Sequence, residues 1–228
     1  MKTLYLITAR GGSKGIPNKN IRPLNGKPLL FYSIDIARTL ADDIDICLST
    51  DDVIIRQKAE TYGLKVPFMR PGEFATDTAG SYEVILHALN HYKLKGIDYQ
   101  KIILLQPTSP FRTTSQILEA DALYSEEIDM VVSVAESKAN PYYNLFEEDD
   151  LGFLVKSKKA QFHRRQDAPK IWLTNGSIYI INSNSLINQH MNEFSRIRKY
   201  VMSELYSMDL DTESDWELAE YMGKKYGL

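Results

Sequence analysis

The chain has little of what would mark it as secreted, membrane-borne or polymer-binding. It holds a single cysteine, Cys47, in 228 residues, so no intrachain disulfide can form. That cysteine lies in the apolar run 44–48 and suits a small core residue in a reducing compartment. No apolar run approaches the roughly 20 residues that span a bilayer. The first one, after Lys2, ends at Ala9 and is too short for the core of a signal peptide. A cytoplasmic protein without a membrane partner is the expectation. Charge of one sign is scarce too: 27 Lys and Arg against 30 Asp and Glu leave a net charge of −3. That balance denies the chain the broad basic field that nucleic acid requires. Two short basic clusters, Lys156-Lys158-Lys159 and His163-Arg164-Arg165, suit a small anionic ligand better than a polymer. Low-complexity tracts and internal repeats are also missing. At 43% hydrophobic residues the chain can bury a full core without staples.

Periodicity supplies the architecture. Short apolar runs over 3–9, 44–49, 65–68, 101–106 and 129–135 read as strands. Between them, residues 28–40, 52–62, 81–92 and 113–124 carry helical spacing, with Gly63 placed to stop the second helix. This alternation predicts a three-layer α/β/α sandwich around a mostly parallel, Rossmann-like sheet. After Glu136 the rhythm changes. Turn signals at Asn140-Pro141 and 147–152 separate short extended runs and predict a β-rich arm over about 138–172. A strand over 176–182 and a closing helix over 212–225 return to the main body, so the chain reads as one domain with an inserted arm. Ligands of open α/β sheets sit beyond the carboxyl ends of the strands. The polar residues expected there are 10–20, 49–51, 106–112 and Asn175.

Familiar chemical fingerprints are absent. Gly11, Gly12 and Gly15 do not fit G-x-G-x-x-G, and Gly26-Lys27 runs into Pro28 instead of Ser or Thr. His87 and His91 have Ala88 where H-E-x-x-H needs glutamate, so they read as a packed or solvated helix face. No Ser/His/Asp or Cys/His arrangement stands out. The loop 9–20 does offer three glycines and three cations, Arg10, Lys14 and Lys19. Backbone N–H groups freed by glycine, together with those charges, suit a nucleoside triphosphate. An ordinary glycine-rich turn with solvated basic residues has the same composition, and spacing alone leaves both open.

The order of several motifs goes further. The loop 9–20 resembles the signature of the acylneuraminate cytidylyltransferases, the CMP-sialic acid synthetases. The segments 70–79 (RPGEFATDTA), 104–112 (LLQPTSPFR), 175–179 (NGSIY) and 209–213 (DLDTE) resemble that family's later motifs, in order and over nearly the whole chain. The resemblance implies CMP transfer from CTP to a nonulosonic acid with release of pyrophosphate. It implies that Arg10, Ser13, Lys14, Lys19 and Asn20 hold the phosphates, with Lys19 also catalytic, and that Arg70, Ala79 and Ser81 lie along the cytidine. It further implies that Asp209 and Asp211 hold Mg2+, and that Gln106, Arg165, Asn175 and Tyr179 surround the acidic sugar. A homodimer, with the arm reaching into the neighbour's site, belongs to the same expectation.

Plainer readings stand beside these. Arg70 could form a surface salt bridge, Arg165 could be one more exposed charge, and Thr212 with Asp215 could simply cap the last helix. One departure bears on the substrate. Where a lysine can stand in sialic acid synthetases, this chain reads 140–145 as NPYYNL, closer to relatives that activate legionaminic acid. A shorter acid such as 3-deoxy-octulosonate is the enzymatic rival. A silent nucleotide-binding regulator is the rival of another class.

Overall fold

The structure is a computed structural model that describes residues 1–76, 80–162 and 164–228. In chain order, β1 (Thr3–Thr8) leads through a long loop to the short pair β2 (Pro23–Leu24) and β3 (Lys27–Pro28) and to α1 (Leu29–Arg38). Then come β4 (Ile46–Ser49), α2 (Val53–Thr61), α3 (Ser81–Leu94), β5 (Lys101–Leu104), α4 (Thr114–Asp121) and β6 (Met130–Glu136). The arm carries β7 (Phe146–Glu148) and β8 (Leu154–Lys156). The main body resumes with β9 (Trp172–Asn182), α5 (Ser183–Asn188), β10 (Ile197–Val201) and α6 (Glu213–Tyr226).

Six strands form the central sheet in the order β10-β6-β9-β5-β1-β4. β1 runs parallel to β4 and β5, and β10 runs parallel to β6. β9 alone is antiparallel to both of its neighbours. The period-2 alternation of each strand divides its side chains between two cores. Ile7, Ile46, Leu48, Ile103, Val131 and Ile180 meet α1, α2 and α4 through Leu30, Ile34, Ile55, Ala59 and Ile117. Leu4, Leu6, Cys47, Ile102, Leu104 and Val132 meet α3 through Ile85, Ala88, Leu89 and Tyr92 on the other face. That division is the physical content of the three-layer expectation. Cys47 is buried as expected, and burial pushes its thiol up to about 12, which keeps it inert.

Three expectations about elements need correction. No strand forms over 65–68; Pro67 has no N–H to give to a ladder, and the stretch crosses from α2 to the site as an irregular connection. Between 183 and 201, where no element was expected, α5 and β10 form. Asn182 caps α5 by accepting from the Asn184 and Ser185 N–H groups. Residues 172–175 also join β9, which therefore begins earlier than 176.

A third, smaller core positions the site. Trp216 and Ala219 of α6 pack with Ile16 of the first loop, Leu24, Leu29, Phe111 and Leu210. The Thr212–Asp215 capping box that starts α6 is present. Trp216 is 1% exposed, and truncating such a residue costs about 3–5 kcal/mol. Loops that are distant in sequence are thus bolted to one helix.

The arm is less strand-rich than expected and carries one short hairpin. β7 and β8 form their own antiparallel pair, with Phe146 (48%), Phe153 (66%) and Leu154 (70%) exposed. Arg164 pairs with Asp167, and Lys156 lies in β8. The basic clusters therefore sit on the arm and not in the main cleft, and His163 lies outside the described residues. Among the described residues, no helix is long and apolar enough to cross a membrane.

Candidate active site

Beyond the carboxyl ends of β1, β4 and β5 lie two adjoining compartments that share Thr8, Arg10 and Gln106. The first, about 230 Å3, is lined by Ser13, Lys14, Gly15, Lys19, Asn20, Thr108 and Asp211. The second, about 300 Å3, is lined by Arg70, Phe74, Thr76, Gly80, Ser81 and Val84. A cation-rich chamber opening into a small-residue chamber with one aromatic wall can hold a ligand that is anionic at one end and flat at the other.

The shape of the first loop comes from its glycines and from two aspartates behind it. Gly12 has φ +63°, a left-handed conformation that glycine adopts without strain. Gly15 packs so closely on the backbone of Asp211 that a Cβ there would collide with the Asp211 carbonyl oxygen. The Gly11 N–H donates to Asp51 Oδ1 at 3.0 Å, while Asp52 caps α2 by accepting from the Ile54 and Ile55 N–H groups. Buried Asn20 donates from Nδ2 to the Arg10 carbonyl at 2.9 Å and closes the loop. Arg10 donates to the Thr76 carbonyl at 3.2 Å, joining the two compartments.

Arg70 is buried and not in a surface salt bridge. Its Nε donates to Ser49 Oγ at 3.0 Å and its Nη2 to the Ser49 carbonyl at 2.6 Å. Burial lowers its pKa; the Asp51 charge opposes that and the Arg10 charge adds to it. Arg112, also buried, donates to the Ser177 and Gln106 carbonyls and to Ser33 Oγ at 2.6–2.8 Å. Burial pushes its guanidinium down to about 9, so it stays cationic at neutral pH and ties α1, β9 and the 106–112 loop together.

Asp209 and Asp211 stand between the loop and β9. The Leu210 N–H donates to the Thr108 carbonyl at 2.9 Å. Lys19 Nζ donates to the Leu210 carbonyl at 2.6 Å and to Asp211 Oδ1 at 3.1 Å. Asp209 is open to cleft solvent but surrounded by cleft walls. Burial raises its carboxyl above the usual range, a hydrogen bond from Thr108 opposes that, and the Asp211 charge adds to it. A carboxylate held in that state gains from a cation. Among the described residues no group of three or more His, Cys, Asp or Glu converges. Two carboxylates beside a cation-rich chamber are nonetheless a donor set magnesium can use, with anion oxygens and water completing it. The residues fit that ion.

On the far side, β9 bulges opposite Ser133: Val132 pairs with Tyr179 and Val134 with Thr174. Gly176, at φ +70°, sits in the bulge against Gln106, Ser109 and Asp209. Asn175 is buried and its side chain is spent on the bulge. It accepts from Ser133 Oγ at 2.5 Å and donates to Ser207 Oγ at 2.9 Å, so it shapes the cleft instead of facing it. Tyr179 is half-buried near Asp209; burial first and that charge second raise its pKa. Arg165 is not brought to this cleft in one chain. It lines a separate hollow of about 380 Å3 with Asn140, Lys170 and Glu136. Ala79 lies outside the described residues. Thr108 and Asp51 fall within the segments 106–112 and 49–51 expected at the strand ends, though with no role of their own. Sequence reasoning missed Thr8, which nothing marked, and Phe74, which stood inside a motif as an unassigned letter.

A family model described as Cytidylyltransferase matches residues 4–225. The chain is 37% identical to an N-acylneuraminate cytidylyltransferase of Streptococcus agalactiae, over 95% of this chain and 52% of that one, and so spans about half the length of the streptococcal relatives. It is 33% identical to a CMP-N,N'-diacetyllegionaminic acid synthase of Legionella pneumophila, over 96% of this chain and 95% of that one. A solved CMP:2-keto-3-deoxy-manno-octonic acid synthetase complexed with CTP shares the fold, at TM-score 0.71, 16% identity and 99% of each chain. Since the family match spans all three cores and both compartments, the chain belongs to the cytidylyltransferase family.

Proposed function

We propose that the chain transfers CMP from CTP to the anomeric hydroxyl of a nonulosonic acid, with pyrophosphate as the second product. The observation that carries this reading is the pair of compartments meeting at Thr8, Arg10 and Gln106, one rich in cations and the other shaped for a ring. The names of the streptococcal and Legionella relatives supply the substrate class.

In this reading Arg10, Ser13, Lys14, Lys19 and Asn20 hold the triphosphate. Arg70, Ala79 and Ser81 flank the cytidine. Fixed cations at the β- and γ-phosphates stabilise the charge that grows on departing pyrophosphate. Lys19, already anchored by Leu210 and Asp211, needs no reorganisation to do so. Asp209 and Asp211 would hold Mg2+, which when bound would supply charge neutralisation at the phosphates and a lower pKa for the attacking hydroxyl. Gln106 and Tyr179 face the acceptor sugar, and Asn175 sets the bulge that carries Gly176 beside them.

Arg165 completes the sugar site from a second copy of the chain. The exposed apolar side chains of the β7–β8 arm support a homodimer in which each arm reaches its neighbour. The Legionella relative's name and the sequence Asn140 to Leu145 favour a legionaminic-type acid.

Pyrophosphate release from CTP and Mg2+ with N-acetylneuraminate, legionaminate, pseudaminate and 3-deoxy-octulosonate tests the proposal. Turnover with a nine-carbon acid is expected. Turnover with the octulosonate alone would replace the acceptor. A folded protein that bound CTP and turned over none of the four would be a regulator.

A further inference from the structure

One wall of the second compartment has no role in the reading above. Phe74, from the 3-10 turn Gly72–Phe74, lines that compartment and is half-buried. Behind it stands His87 of α3, with ring centroids 5.6 Å apart and planes at 48°. His87 meets Phe68 edge-on at 4.7 Å, and Phe68 packs on His91 at 4.6 Å. Among the described residues, buried His87 Nδ1 and His91 Nε2 have no hydrogen-bond partner. Ring packing, not hydrogen bonding at those atoms, therefore seats the column.

The two compartments differ in chemistry. Lys14, Lys19 and the glycine loop belong to the first; the second sets one aromatic face among Gly80, Ser81, Val84 and Thr8. Arg70 cannot swing to follow a ligand there, because Ser49 holds its guanidinium twice. Among the described residues, a flat ring entering between small side chains finds one aromatic surface, and Phe74 is that surface.

We infer that Phe74 is the stacking platform for the pyrimidine ring of the nucleotide, and that His87 is the positioning residue that holds Phe74 against it. The inference rests on the reading that CTP occupies this cleft. Every base has a π-face, so a platform of this kind adds affinity without choosing between bases. Selection of cytosine over uracil falls to other groups of the compartment, and losing Phe74 leaves that ratio unchanged.

The experiment is equilibrium binding of CTP, UTP and inorganic tripolyphosphate, by calorimetry, to the wild type and to Phe74→Tyr, Phe74→Leu and Phe74→Ala. Proton NMR of cytosine H5 and H6 is recorded alongside. Phe74→Ala is expected to weaken CTP and UTP alike by about 5- to 150-fold, the range for removing an aromatic platform. Phe74→Leu keeps most of the bulk and should fold normally. It should lose affinity too, together with the upfield shift of H5 and H6 that ring stacking gives the wild type. Phe74→Tyr should retain both. Tripolyphosphate should bind all four proteins equally. His87→Ala should weaken nucleotide binding and His87→Phe should restore it, because packing and not a proton is what His87 supplies. Unchanged CTP affinity in Phe74→Leu and Phe74→Ala would overturn the inference, as would an equal loss for tripolyphosphate. A wild type that bound tripolyphosphate but not CTP would overturn the functional reading along with it.

Discussion

Lys19 and Asp211, 192 positions apart in the chain, meet at 3.1 Å, and the Leu210 carbonyl takes the same ammonium at 2.6 Å. The two partners are unequal: the Lys19 side chain is 11% exposed and that of Asp211 71%. A pair with one member in water contributes little stability, about 0–1 kcal/mol. Its value lies in aiming the Lys19 charge into the first compartment.

Lys19→Met therefore separates catalysis from folding. A fixed cation at the departing phosphates is worth about 100- to 1,000-fold in kcat, by analogy with single charge-stabilising donors. The change in unfolding free energy should stay at about 1–3 kcal/mol, the net value of the two hydrogen bonds that Lys19 gives. Steady-state kinetics and urea unfolding on the same preparation check both halves. A large drop in stability with modest loss of kcat would make Lys19 a structural residue.

Gly15→Ala should act through the aspartate segment. A methyl group at residue 15 has no room beside the Asp211 carbonyl, so the loop or residues 209–211 must shift. Overpacking of this kind costs about 1–3 kcal/mol, and activity should fall further because Lys19 and both aspartates move together. Gly12→Ala is the contrast. No described residue stands near a Cβ there, and its cost comes from the left-handed backbone, at φ +63°. Thermal unfolding, with the Mg2+ concentration needed for half-maximal activity, distinguishes the two.

The acceptor for Gly11 can be tested by its chemistry. Asp51→Asn keeps an oxygen for the Gly11 N–H, whereas Asp51→Ala leaves that donor unmatched behind the loop. The alanine variant should raise KM for CTP by about tenfold, from roughly 1–3 kcal/mol of unsatisfied donor, and the asparagine variant should restore much of it. Equal effects would assign the loss to the Asp51 charge near Arg70.

These residues also show what a sequence discloses. Arg10 and Lys19 stood out because their loop carries unusual charge and glycine content, Gln106 and the two aspartates only because their motifs resemble those of a family, and the layers were legible because each strand alternates cleanly between two cores. Arg70 was legible as a site residue but not as a buried one, since its partner Ser49 lies at the end of another strand. Asn175 misled because an asparagine facing a cleft and one spent inside a bulge look alike until the Ser133 and Ser207 hydroxyls are in place. β10 and α5 went unread because Ile197–Val201 is a short edge strand with exposed charges, and α5 rests on a cap more than on an apolar face.

The aromatic column gives the protein a pH response. Burial, then the Arg70 charge, lowers the pKa of His87 below 6.5, against the opposing pull of Glu73. Burial, then Lys95 and His87, lowers that of His91. The unfolded chain consequently binds protons first as the pH falls. The stabilising effect of the neutral rings is whole above about pH 6.5 and is lost as the pH drops through the folded values. His87→Phe should flatten this dependence of the urea midpoint between about pH 5 and pH 7. An unaltered slope would place the titration elsewhere.

Arg165 supplies the sharpest test of assembly, since it lines the arm hollow and not the cleft. If each site takes Lys19 from one chain and Arg165 from its neighbour, Arg165→Ala and Lys19→Met homodimers are both impaired. In a mixed dimer, one of the two sites recovers both residues. Random exchange of equal amounts makes half the dimers mixed, so about a quarter of all sites regain the full set in a closed two-fold assembly. Mixing the two variants should therefore raise activity toward about a quarter of the wild-type value. Phe153→Asp with Leu154→Asp on the arm should abolish that recovery and give a monomer by light scattering. No recovery from mixed variants that still dimerise would place Arg165 outside the neighbour's site.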